Sequence, residues 1–300
     1  MSPEAGMTAV AEPSAVAEMG ERPAVKRARR QWGLTDVLAM SWLALLVFGM
    51  LFLPTLLNID ADTMSPADRL TGPSAHHWLG TDNYGRDLLA RALAGARISL
   101  WIGFGSVAAS ALVGVPIGML AGYLGGWLDR ITSFVVDVVL AFPGLVLALA
   151  LASFLGQSIT NVMIAIAVPM CPVFVRLAKA QTLSVARREY VEASQVIGTP
   201  ARSILRRDVL PNITEAMLAF ALVSVGHAIL IEGGLSFLGM GMPPTVTSWG
   251  GMINYGRGFI SSNPALIAVP SAFMLLTILS LNLLADRFLG GRAGNTGGGR

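Results

Sequence analysis

Three ionisable side chains stand inside long apolar runs of this 300-residue chain: Asp137, His227 and Glu232. In a hydrocarbon environment such groups are costly, and they mark ion, proton or substrate paths or polar contacts between packed helices. Asp137, in "ITSFVVDVVLAFPG", is close enough to one end of its run to snorkel toward water. His227, in "SVGHAIL", can hydrogen-bond a neighbouring helix or line a path. Glu232, in "LIEGG", can pair within a bundle or subunit interface, or contact a substrate. No nucleophile–base pair and no HExxH spacing links the three, so no hydrolytic site is expected. A second polar group is the stretch "REYVEASQVIGTPARSILRRDVLPN" at 188–212, flanked on both sides by apolar sequence. Its chemistry is that of a docking surface rather than a reaction centre.

The elements that must hold these residues follow from composition. Hydrophobic residues make up 54% of the chain and charged residues 13%, against about 25% charged in ordinary soluble domains. The charges are clumped, and several apolar windows pass the roughly 18-residue length that spans a bilayer as a helix. An all-α membrane protein with six transmembrane helices is predicted. The spans are Val37–Leu57, Ile98–Tyr123, Ile131–Leu155, Ile159–Leu177, Met217–Leu238 and Ala265–Leu284. The fourth is the weakest, interrupted by Pro169 and Pro172, and Pro143 predicts a kink in the third. Gly114, Gly118 and Gly122 recur on one face of the second span and permit close helix approach.

Residues 1–34 read as a cytoplasmic tail expected to be disordered. Residues 35–290 form the six-span domain, and 291–300 a flexible C-terminal tail. "KRARR" runs directly into the first apolar stretch, which lacks a small-residue cleavage site, so that span reads as uncleaved. A net charge of +3 with no single large basic patch excludes nucleic acid as a partner. The only cysteine, Cys171, can form neither an internal disulfide nor a thiolate cluster. His76, His77 and His227 show no metal-ligand spacing, so no bound metal is expected.

Lys and Arg set the orientation. Five precede the first span, Arg130 follows the second, seven lie between the fourth and fifth from Arg176 to Arg207, and three follow the sixth. These sixteen fall on one side, against five on the other (Arg69, Arg86, Arg91, Arg97 and Arg257). The positive-inside tendency therefore places both termini and residues 188–212 in the cytoplasm. The charged stretch Gly80–Arg97 falls outside and reads as a solvated, self-paired surface helix. Trp249, in "PPTVTSWGG", suits an interfacial or packing role.

Within the central segment, "REYVEASQVIG" can start a helix with Tyr190, Val191, Ala193 and Val196 as an apolar stripe. Gly198, Thr199 and Pro200 break it, and "PARSILRRDVLP" can restart it, with Pro211 preceding the fifth span. Such a helix–turn–helix can rest at the lipid interface or dock to a cytoplasmic partner, and residue chemistry alone leaves both open.

The same segment resembles the cytoplasmic loop of importer-type ABC permeases, whose pattern is Glu-Ala-Ala, three residues, Gly, then Leu-Pro. The matching positions are Glu192, Ala193, Ser194, Gly198, Leu210 and Pro211, with Ser in the third place; Asp208 stands where peptide-group members often carry His. "HHWLGTDNYGRDLLARALAGARISLWIG" at 76–103, "AILIEGGLSFLGMGMPPTVTSWGGMI" at 228–253 and "NLLADRF" at 282–288 are similar to dipeptide, oligopeptide and nickel permeases, C-type subunit. The resemblance implies a type I ABC importer permease fold in the cell inner membrane. It implies a sister permease, two cytoplasmic ATPase subunits, an extracytoplasmic solute-binding protein and surrounding lipid as partners. The six matching residues would couple to the ATPases, which use ATP and Mg; no cofactor is expected on this chain, which has no GxxxxGK[ST] phosphate loop. Short peptides are the expected cargo, with nickel complexes or another small solute as the alternative. Two other classes compete: a polytopic membrane enzyme, which would need convergent polar groups on facing spans, and a secondary transporter, which would show inverted repeats.

Overall fold

The structure, a computed structural model, describes residues 33–57, 59–243 and 245–293, with side chains described up to residue 287. Residues 1–32 and 294–300, which hold most of both expected tails, lie outside the described residues. Ten helices run in chain order among them: α1 Leu34–Leu56, α2 Leu88–Leu124, α3 Gly126–Leu140, α4 Gly144–Leu155, α5 Ile159–Ala186, α6 Glu189–Val196, α7 Ala201–Ile204, α8 Leu210–Phe237, α9 Trp249–Gly256 and α10 Ala265–Ala293. Five helices or continuous helical stretches are long and apolar enough to cross a membrane, and the bent pair α3 and α4 supplies a sixth span if it counts as one. The helix α10 continues to Ala293, into the stretch expected to be flexible.

The α2–α5 contact organises the bundle. Gly114, Gly118 and Gly122 are buried on α2. A Cβ at Gly114 would lie 2.8 Å from the Cys171 carbonyl oxygen, one at Gly118 would overlap the Val175 carbonyl, and one at Gly122 would lie 2.8 Å from the Lys179 carbonyl. Hydrogen in place of a methyl lets the two backbones touch over two turns, which is how helices adhere where lipid removes the hydrophobic drive. Across this seam Ser110 Oγ donates to the Ala167 carbonyl at 2.9 Å. Elsewhere, α1 is tied to α10 by Trp42 Nε1–H donating to Thr277 Oγ1 at 3.1 Å and by the Arg287–Asp36 ion pair at 2.7 Å.

Three expected spans and the central segment change shape. The second helix begins at Leu88, not near Ile98, because Asp87 caps it by accepting from the Ala90 N–H at 2.8 Å. The charges of Gly80–Arg97 do pair among themselves, as Arg86 with Asp82 at 2.7 Å, but in a loop leading into α2 rather than on a separate surface helix. The third span is broken, not kinked: α3 and α4 meet at 84° around Ala141–Pro143. The fourth continues as a helix through Pro169 and Pro172 to Ala186, since packed neighbours tolerate proline in membrane helices. The second arm of the central segment is no free hairpin arm. Ala201–Ile204 passes through a π-helical turn, Leu205–Val209, straight into α8.

Candidate functional site

One end of the bundle is built around α6. Glu189 and Glu192 occupy its first turn, where negative side chains favour the helix N-terminus. Val191 is fully buried and packs in a cluster with Val185, Ile204, Leu205, Val209 and Ile213. This cluster clamps α6 between the end of α5 and the start of α8, so the element is held by the spans it joins. The expected apolar stripe does not act as one face. Val191 goes inward, whereas Tyr190, Ala193 and Val196 are exposed, because an eight-residue helix seated edgewise has room to bury one valine only.

The six residues expected to couple fall into two groups. Glu192 and Ala193 are exposed, and Ser194 Oγ donates to the Tyr190 carbonyl at 3.0 Å. The serine hydroxyl is thus absorbed within its own helix. Gly198 ends the helix at φ +80°, a left-handed conformation that favours glycine. A Cβ there would meet nothing within 4 Å, so within this chain the glycine serves the turn and not a close contact. Leu210 and Pro211, both exposed, open α8 after the π turn. Two residues outside the motif complete the surface: Val196 and Ile197 are 87% and 80% exposed at the tip of the turn. Both are apolar side chains that water would not select in that position. The exposure of Val196 was not visible in the sequence, where it belongs to the expected apolar stripe.

The three intramembrane candidates are not gathered into one site. Asp137 pairs with Arg176 at 2.7 Å and, with the Asp129–Lys179 pair, fastens α3 to α5. Glu232 is fully buried. Its Oε1 accepts from Ser236 and Ser248, each at 2.8 Å, and its Oε2 from Ser99 at 3.3 Å. Beside it Trp249, also fully buried, donates from Nε1 to the Ala92 carbonyl at 2.9 Å and from its backbone N–H to Ser99 Oγ at 3.2 Å. Trp249 therefore packs in the core, and α9 is seated on α2 and α8. Ser236 could have been found from its four-residue spacing on the same helix as Glu232; Ser99 and Ser248 carry no local signal.

His227 is exposed on α8 and opens into a cavity of about 520 Å³ formed by the α3–α4 elbow, α5 and α8. Phe142, Pro143, Met170 and Phe220 are among its walls. On α9 the Tyr255 phenol is pushed up to about 12, first by burial and then by the neighbouring Tyr84. Among the described residues no group of three or more His, Cys, Asp or Glu is placed to hold a metal ion.

Comparison with known proteins places this geometry. The chain is 37% identical over 236 residues to a dipeptide transport system permease protein, DppC, of Alkalihalophilus pseudofirmus, covering 79% of this chain and 78% of the relative. It is 39% identical over 232 residues to a glutathione transport system permease protein, GsiD, of Pectobacterium atrosepticum, covering 77% of each. A chain from a structure of inward-facing conformations of the MetNI methionine ABC transporter superposes with a TM-score of 0.57 at 18% identity, covering 68% of this chain and 95% of that one. The shared architecture is the type I ABC importer permease fold. Residues 114–290, which include the elbow, the α6 surface and Glu232, match the family described as binding-protein-dependent transport system inner membrane component, and the chain belongs to that family.

Proposed function

We propose that this chain is the membrane-spanning permease subunit of an ATP-driven importer of short peptides, working beside a sister permease. The observation that carries the coupling role is the exposed tip of α6, where Val196 and Ile197 stand next to a glycine turn rigidly seated on α5 and α8. A packed element of this kind moves as a unit, so a push on the tip reaches two membrane helices at once. Two cytoplasmic ATPase subunits, using ATP and Mg, supply that push through Glu192, Ala193, Ser194, Gly198, Leu210 and Pro211. A solute-binding protein delivers cargo to the outer face, which has α9 at its surface. Both termini lie in the cytoplasm, in keeping with the Lys and Arg distribution.

Peptide cargo is supported by two relatives, permeases of dipeptide and of glutathione transport systems. The test is reconstitution of the chain with its sister permease, ATPase subunits and binding protein in liposomes. ATP-dependent accumulation of labelled di- to pentapeptides is expected, and it should vanish when this chain is omitted. A complex that hydrolyses ATP in response to binding protein but accumulates none of these peptides would overturn the peptide reading.

A further inference from the structure

The α3–α4 elbow is a break in a span. Ala141, Phe142, Pro143 and Gly144 are all exposed, midway along the apolar run that α3 and α4 share. No side chain caps the start of α4. Non-helical backbone at membrane depth is tolerated only where protein buries it or where it lines a water-filled cavity, because lipid cannot satisfy its polar groups. Among the described residues nothing buries the elbow. His227 leads to the same conclusion independently. It sits near the middle of the apolar run Met217–Leu238, exposed, and faces the same cavity. A polar, titratable ring at that depth is costly against lipid tails. Two unrelated features that lipid disfavours thus converge on one concave surface. By contrast, the outward faces of α1 and α2 carry side chains suited to lipid, such as Phe48, Leu112 and Leu120.

We propose that this cavity is the part of the cargo path contributed by this subunit, with His227 as the polar contact for a short peptide in transit. The inference rests on the peptide-import reading above. The volume of about 520 Å³ lies within the roughly 300–1,000 Å³ range of small-ligand cavities. The walls from Phe142, Met170 and Phe220 accept apolar side chains without geometric selectivity. An imidazole ring can give or take a hydrogen bond, enough to pair with a peptide carbonyl, N–H or terminal carboxylate in passing. One such contact in an apolar channel binds weakly, which suits a site that cargo must also leave.

The experiment uses the complete transporter in liposomes with Cys171→Ser as background. His227→Cys is treated with a small, water-soluble methanethiosulfonate reagent, with Leu230→Cys as the comparison: Leu230 is half exposed on the same helix but does not line the cavity. His227→Cys is expected to react at least about tenfold faster, since hydrocarbon excludes the reagent from a lipid-facing thiol. Trialanine supplied with the binding protein is expected to slow that reaction. Phe142→Cys, which leaves the histidine in place, should behave in the same way and serves if the first variant fails to assemble. Import of trialanine by the Cys171→Ser complex, combined with unreactive thiols at both positions or rates that trialanine leaves unchanged, would overturn the inference and assign the surface to the sister permease. Failure of that complex to import any peptide would instead sink the peptide reading on which the inference stands.

Discussion

Ser248 donates its hydroxyl to Oε1 of Glu232 at 2.8 Å, joining the start of α9 to the buried side of α8. The same carboxylate holds Ser236 on its own helix and Ser99 on α2. One side chain therefore unites three elements, and Trp249 fills the space beside it. The arrangement makes Glu232 a structural centre, which agrees with its lack of exposure to any cavity a cargo could reach.

Replacing Glu232 by Leu is expected to release α9. Each hydroxyl left without a partner costs about 1–3 kcal/mol, while Glu232→Gln keeps an acceptor for Ser236 and Ser248. Trypsin cleavage after the exposed Arg257, just beyond α9, measures the release in liposomes presenting the outer face. The Leu variant should be cut faster than the parent and the Gln variant at close to the parental rate. Equal resistance of all three would show that Trp249 packing alone seats the helix.

Gly198→Leu is expected to leave membrane abundance near normal and to uncouple transport. The site has open space around it but a φ of +80°, so the cost is backbone strain of about 1–2 kcal/mol. That is small for a packed bundle but enough to displace the tip. The companion substitution Val196→Asp with Ile197→Asp changes no internal packing and should abolish co-purification with the ATPase subunits. Normal complex yield and normal peptide uptake in both variants would remove α6 from the coupling role and favour a surface resting on lipid.

Single cysteines at Thr199 and Ser262, in the Cys171→Ser background, test the orientation. An impermeant thiol reagent applied to intact cells should label position 262 and reach 199 only after lysis. The reverse pattern would invert the topology derived from the charge distribution.

Gly118→Leu should prevent folding of the bundle. Its side chain would have to occupy the position of the Val175 carbonyl and the methyl of Ala178. Overpacking a core costs about 1–3 kcal/mol where neighbours can shift, and here a backbone must shift. The expected outcome is loss of detergent-soluble monodisperse protein. Gly125→Ala, at the end of α2 with nothing within 4 Å, should retain it despite strain at φ +62°. Equal yields from Gly118→Leu and the parent would mean that α2 and α5 do not meet along this seam.

Much of the protein was legible as a line of letters. Apolar run length is a local property, so "VLAMSWLALLVFGMLFL" reads as a span wherever it stands. Glycines at 114, 118 and 122 announced a close face, and Gly198 announced a turn. What the line could not hold was the identity of partners. Nothing near Glu232 distinguishes Ser99, lying 133 residues away, from any other serine, and nothing near Asp137 names Arg176. Proline was ambiguous for a related reason. Pro169 and Pro172 sit in a straight continuation of α5, whereas Pro143 marks an 84° break, because the outcome depends on what packs against the freed backbone groups.

The sequence by itself thus determined that the chain spans a membrane, where its polar central segment lies and which residues are costly in lipid. These follow from solvation, which each residue pays against its surroundings largely alone. Only the tertiary structure decided that Glu232 is buried in a serine cage, that Val191 points inward while Val196 and Ile197 point out, and that His227 opens into the elbow. Those depend on helix packing, in which a side chain's environment is set by residues distant in the chain, and solvation of single residues cannot specify which distant neighbours arrive.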